Sequence, residues 1–190
     1  RTLGRIVHNN HLHKGFKPVH WCTDCGSALA EAEVEYQDKV SPAIDVAFNV
    51  VDEERLAEIS QLNDASGFAV VIWTTTPWTI PANEAVTVHP ELDYVLVEAS
   101  DAEGRIKRLI LVRELMESCL ERYGLGKANI LAEVNGAALE MLTIKHPIYD
   151  KQVPVILGDH VTTDSGTGCV HTAPAHGQED YAVGKLYDLP

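Results

Sequence analysis

No run of about eighteen apolar residues occurs in the sequence, and no apolar segment follows a basic start, so neither a membrane-spanning helix nor a secretory leader is expected. Cysteine is scarce, with four in 190 residues, of which only Cys22 and Cys25 are closely spaced. That excludes the dense disulfide framework of a small secreted protein and makes a reducing cytoplasm the expected setting. Basic residues are also short, 15 Lys and Arg against 28 Asp and Glu for a formal charge of −13. A broad phosphate-binding surface is thereby excluded, and any nucleic acid must be touched locally. No internal repeat or low-complexity segment is visible. The chain opens on Arg1 rather than Met, which reads as a piece cut from something longer. What is present suffices for a core: 45% hydrophobic residues point to one domain with a second small element.

Histidines 8, 11, 13 and 20 surround the segment Lys14 to Pro18 and read as solvated. Cys22-Thr23-Asp24-Cys25-Gly26 has the spacing of half a zinc knuckle. A structural zinc needs four ligands and no second Cys-x-x-Cys is present, so zinc completed by those histidines and a pair of reduced thiols both remain open. Ala30, Ala32, Val34 and Tyr36 alternate with Glu31, Glu33 and Glu35, which predicts a strand over 28–36. Strands are also expected from Ile44 to Val50, Phe68 to Trp73, Ala85 to His89, Tyr94 to Glu98, Arg108 to Val112, Ile130 to Val134, Leu139 to Ile144 and Val153 to Leu157. Helices are expected after Asp52, through Leu115, Cys119 and Tyr123 to Gly124, and from about Gln178. Cys119 lies on an apolar helical stripe and reads as a buried core thiol. The fold class is α+β, with a curved or barrel-like sheet core and about three flanking helices.

One stretch resists this reading. Ser165 to Tyr181 carries His171, His176, Asp180 and several hydroxyls and glycines with almost no periodicity before Glu179, the composition of a site rather than a core. Gly166 and Gly168 permit close approach of a ligand to the backbone. Asp180 falls in the first turn of the last helix, where an acid can simply satisfy free amides. Three chemistries fit the stretch. His171, His176 and Asp180, with Cys169, can be assembled into a metal-dependent hydrolase centre, although a five-residue His spacing interrupted by Pro174 departs from the i, i+4 pattern. Cys169 can be considered as a nucleophile beside His171. Alternatively hydroxyls and amides position a substrate ester, Asp180 fixes a cationic group and a bound water attacks. A non-catalytic module that binds an RNA end or an amino acid is the alternative from another class.

Val71-Ile72-Trp73-Thr74-Thr75-Thr76-Pro77-Trp78-Thr79-Ile80-Pro81-Ala82-Asn83, together with Gly158-Asp159-His160-Val161 and Gly166 to Tyr181, resembles the editing insertion of bacterial isoleucyl-tRNA synthetases of class I. The likeness extends to His20-Trp21-Cys22 and Ala28 to Tyr36. Related valyl and leucyl enzymes carry an arginine after the first two threonines, where this chain has Thr76. The resemblance implies a connecting segment over 1–40 and an editing domain over 41–190 that stops before it is complete. It implies hydrolysis of valyl-tRNA(Ile) by a positioned water without a covalent intermediate, inside a parent enzyme that uses ATP and magnesium. By the same resemblance Asp180 holds the substrate ammonium, and His171 borders the side-chain pocket. Thr74, Thr75, Thr76 and Asn83 receive the terminal adenosine and ester, with Thr79 and Gly168 beside them, while Trp73 and His176 support the shell. No metal is expected in that pocket, zinc only near Cys22 and Cys25. The implied partners are the tRNA end carrying valine and the remainder of the synthetase. A cytoplasmic monomer is expected.

Overall fold

The computed structural model describes residues 1–12 and 14–190, and the chain divides into two units, Arg1–Asp38 and Lys39–Pro190. His13, one of the histidines considered for zinc, lies outside the described residues. The first unit contains α1 (Thr2–His8), β1 (His20–Cys22) and β2 (Ser27–Leu29). The strands pair antiparallel across the cysteine turn, Cys22 opposite Ser27, and Gly26 closes that turn at φ +62. The expected strand from Ala28 to Tyr36 is not formed beyond Leu29; a 3-10 turn occupies Glu31–Glu33 instead. The cause is local: the Glu33 carboxylate reaches back to the Ala30 amide at 2.8 Å, and β1 offers only three residues to pair with. No described residue of this unit is buried, and a lone two-stranded hairpin is marginal in water.

In the second unit the period-two and continuous apolar runs become β3 (Ile44–Asn49) and β4 (Phe68–Thr74). Between them α2 (Glu53–Ser60) starts where the Asp52 carboxylate accepts from the Arg55 amide. The chain continues through β5 (Ala85–Val88), β6 (Asp93–Ser100), β7 (Ile106–Val112), α3 (Met116–Arg122) and β8 (Gly126–Asn135). It ends with β9 (Thr143–Lys145), β10 (Gln152–Leu157), β11 (Cys169–Thr172) and α4 (Gln178–Leu186). Two sheets result, a five-stranded one in the order β3-β4-β7-β6-β8 and a four-stranded one in the order β11-β5-β10-β9. A bridge between Val50 and Ile144 links them. The α+β reading holds, with three α-helices in this unit and curvature shared between two sheets rather than a closed barrel.

Phe48, Leu56, Phe68, Ile72, Tyr94 and Ile110, all fully buried, form the main core. Cys119 is buried on α3 as expected, against Val71, Val97 and Leu111 on the sheet. Two sequence readings fail here. Leu139 to Ile144 is a strand only from Thr143, because the Asn135 side chain accepts from the Ala137 amide and starts a 3-10 turn over Gly136–Leu139, and Met141 then takes φ +60. The stretch after Gly168, read as aperiodic, forms β11, antiparallel to β5 with His171 opposite Val86. Alternation there is hidden because Cys169, His171 and Thr172 are all buried.

Candidate functional site

β4 delivers its last residue, Thr74, to the end of the sheet, and the chain then folds back on itself. Thr74 Oγ1 accepts from the Thr76 amide at 3.0 Å and lies 3.2 Å from Thr76 Oγ1. Pro77 opens a 3-10 turn over Pro77–Ala82, where its missing N–H costs nothing. Thr79 Oγ1 donates to the Thr76 carbonyl at 2.8 Å and lies 3.0 Å from His171 Nε2. On the other side of that ring, Asn83 Nδ2 donates to His171 Nδ1 at 2.7 Å. The donors leave one consistent arrangement: Nδ1 accepts, Nε2 carries the proton and gives it to Thr79, whose own hydrogen is spent on Thr76. His171 is 8% exposed. Burial first, with smaller electrostatic contributions from His176 and His146, pushes its pKa down to about 4, so it is neutral at neutral pH. With both nitrogens committed, it offers no lone pair to a metal and no base to a water.

Facing this relay, the loop before β11 is held from behind. Gly166 O accepts from Cys119 Sγ at 3.2 Å, Thr167 O from the Val112 amide at 3.0 Å, and Gly168 O from the Tyr94 hydroxyl at 2.6 Å. Loop and strand end enclose a pocket of about 270 Å3 whose lining includes Trp73, Thr74, Thr75, His160 and Gly166 to Val170. Of the residues singled out from sequence, the pocket wall thus includes Trp73, Thr74, Thr75 and Gly168. Thr76, Thr79, Asn83 and His171 form the relay tied to Thr74 rather than the wall, and His176 is exposed. Cys169 is fully buried and its thiol is pushed well up by that burial, which leaves it without nucleophilic character. His160 was passed over as a site residue. Its Nε2 is buried and has no partner among the described residues, and its ring occupies the space that a Cβ on Gly158 would need, 2.7 Å away. A glycine two positions before a histidine was the available signal.

Asp180 stands in the first turn of α4. Its Oδ2 accepts from the Ala173 amide at 2.8 Å, and its Oδ1 makes no hydrogen bond among the described residues. Burial raises its pKa, while the Ala173 amide and the nearby His160 and His176 pull the other way. A half-used carboxylate of this kind suits an ammonium ligand. A larger cavity, about 520 Å3, is bordered by Asp45, Asp101, Arg105 and Lys107 over Val71 and Leu109; it contains none of the residues singled out from sequence. Among the described residues no three His, Cys, Asp or Glu converge as a metal-holding group. Cys22 and Cys25 have the knuckle geometry, with the Cys25 amide 3.3 Å from Cys22 Sγ, and the surrounding amides lower the Cys22 pKa. They fit half of a tetrahedral zinc site.

A pH dependence follows from His171. Between pH 6.5 and about 4 the unfolded chain binds a proton that the folded ring refuses, so stability is lost as pH falls through that window. His146, also held low by burial, acts in the same sense, whereas the raised Asp180 opposes it only in the carboxylate range. Urea unfolding at a series of pH values should show this slope, and a shallower one in His171→Asn; equal slopes would remove His171 as its source.

Among the described residues no helix is long and apolar enough to cross a membrane. A family profile described as "Leucyl-tRNA synthetase, editing domain" matches residues 44–190. Isoleucine--tRNA ligases of Shewanella sediminis and Pseudoalteromonas atlantica are 60% and 56% identical over the whole chain, which spans 20% of their length. The crystal structure of the Plasmodium knowlesi cytosolic leucyl-tRNA synthetase editing domain superposes with a TM-score of 0.63 at 13% identity, covering 78% of this chain and 64% of that one. The P. falciparum counterpart gives 0.64 at 12% identity, covering 74% and 63%. At such identities those structures speak for the fold, which they share. The profile carries the kinship, and the chain belongs to the synthetase editing-domain family that it describes.

Proposed function

We propose that this site removes valine wrongly esterified to the tRNA for isoleucine, by direct attack of water on the ester. The observation that carries the reading is the pocket at the end of β4, where threonines and a glycine loop together line about 270 Å3. That is below the roughly 300–1,000 Å3 of ordinary small-molecule sites and suits one small reacting group. One methylene in an apolar pocket is worth only about 1–3 kcal/mol, a magnitude established for the isoleucine and valine pair itself rather than obtained from this chain. A synthetic site built for isoleucine therefore needs a second site that admits only the smaller side chain. An aminoacyl ester is already reactive, so positioning and electrostatics suffice and no protein nucleophile is required.

In this reading Asp180 takes the α-ammonium through its free oxygen. Thr74 and Thr75, with Asn83 behind them, receive the ester and terminal adenosine. Thr76, tied to Thr79 and through it to the neutral His171, holds Thr74 in the wall and in that way limits the side-chain space. Only a single-stranded end enters, so the charge of −13 is no obstacle. The body of the tRNA is held by the remainder of a longer, monomeric, cytoplasmic ligase that charges it with ATP and magnesium.

The test is deacylation of valyl-tRNA(Ile) by the full-length protein that carries this chain; a module that merely binds the RNA end would leave the ester intact. Thr76→Ala and His171→Ala should in addition begin to hydrolyse isoleucyl-tRNA(Ile), raising that rate about tenfold or more, the lower end of what a methylene is worth. Unchanged discrimination in both variants would take these residues out of the size filter.

A further inference from the structure

The carbonyls of Gly166 and Thr167 are turned toward Cys119 Sγ and the Val112 amide. In a trans peptide the next N–H points the opposite way, and the chain has no cis bonds. The amides of Thr167 and Gly168 are therefore turned away from those partners, and neither finds an acceptor among the described residues. Yet Thr167 is 1% exposed and Gly168 is buried. Buried amides without a partner are rare in native proteins. The next amide along, that of Cys169, is already taken by Thr167 Oγ1 at 3.3 Å. Gly166 and Gly168 have φ of +87 and +74 while Thr167 is not among the positive-φ residues. This alternation of hand aims successive amides into one concavity. The same residues line the pocket of about 270 Å3.

We propose that the Thr167 and Gly168 amides form the oxyanion hole of this site. The proposal rests on the hydrolytic reading given above. Water adds to the ester carbonyl carbon, and the carbonyl π pair moves onto its oxygen, which the two amides receive. The intermediate then collapses, the bond from carbon to the ribose oxygen breaks, and that oxygen takes up the proton the water gave. Free amino acid and a tRNA hydroxyl are the products, with water the sole co-reactant. A terminal phosphate would present the same anionic oxygen chemistry, but no Lys or Arg lines the pocket. Neutral amides suit a charge that exists only in the transition state.

Replacing Thr167, and separately Gly168, by the corresponding α-hydroxy acid removes one N–H and keeps the side chain. In the full-length protein each change should lower kcat for valyl ester hydrolysis about a hundredfold, the usual cost of one oxyanion donor. KM and the rate of isoleucine charging should be unchanged. The same replacement at Cys169, whose amide is already used, should cost less than tenfold. The loss should persist on 3′-O-valyl adenosine, which lacks the phosphate. No loss, an equal loss at Cys169, or a loss confined to KM of phosphate-bearing substrates would overturn the oxyanion hole, the last in favour of a phosphate cradle. A wild-type protein that leaves valyl-tRNA intact would overturn the hydrolytic reading itself, and the proposal with it.

Discussion

Asp180→Ala is expected to slow deacylation of valyl-tRNA by one to two powers of ten. A charge-assisted hydrogen bond contributes about 1.5–3 kcal/mol, and each 1.4 kcal/mol is about a factor of ten in rate. The alanine variant carries a second effect, because Asp180 Oδ2 is the acceptor for the Ala173 amide. Ala173 is fully buried, so stranding that amide should lower stability by about 1–3 kcal/mol. Asp180→Asn separates the two. Its side-chain carbonyl can still accept from Ala173 while the charge is gone, so stability should be retained and deacylation should still fall. Single-turnover deacylation with unfolding curves for both variants decides the matter. An asparagine variant that deacylates at the wild-type rate would leave Asp180 a helix-terminal residue that satisfies an amide and nothing more.

Gly168→Ala should be the most damaging small substitution in the loop. A Cβ there would lie 2.3 and 2.4 Å from Val112 Cβ and Cγ1, at a φ of +74. Overpacking costs about 1–3 kcal/mol and a left-handed alanine about 1–2 kcal/mol more, so a loss of about 2–5 kcal/mol is expected. Gly166→Ala is the matched comparison, since its Cβ meets Trp73 only at 3.5 Å with φ +87, leaving the backbone penalty of about 1–2 kcal/mol alone. Denaturant unfolding should rank Gly168→Ala well below Gly166→Ala; equal losses would mean that Val112 yields and the loop is not wedged against the sheet.

Much of the larger unit was legible because its signals are local. The apolar run Phe68 to Trp73, the alternation from Ile44, the Asp52 start and the helix around Asp180 each depend on neighbours within a few residues. The failures are of two kinds. Glu31 to Glu35 alternates like a strand, but Glu33 prefers its own chain, and Asn135 likewise bends the chain into a 3-10 turn before Leu139. Within the site, the threonine run, Asn83 and His171 could be named from the sequence, whereas the division between pocket wall and relay could not. The loop side of the wall is set by Tyr94, Val112 and Cys119, which are 74, 55 and 47 positions from their loop partners, and nothing in the local pattern announces such pairings.

Those three anchors have a consequence for fidelity under heat. Tyr94 is completely buried, as are Val112 and Cys119, so the loop cannot loosen without opening the sheet and the helix that carry them. Most binding loops melt locally, far below the global transition. This one should melt with the fold. In hydrogen–deuterium exchange the Val112 amide, donated to the loop, should therefore open with the free energy of complete unfolding rather than of a surface segment. On the proposed reading, warming a cell toward the melting point of this domain would not bring a gradual rise in misincorporated valine; proofreading would hold nearly level and then vanish together with the folded domain.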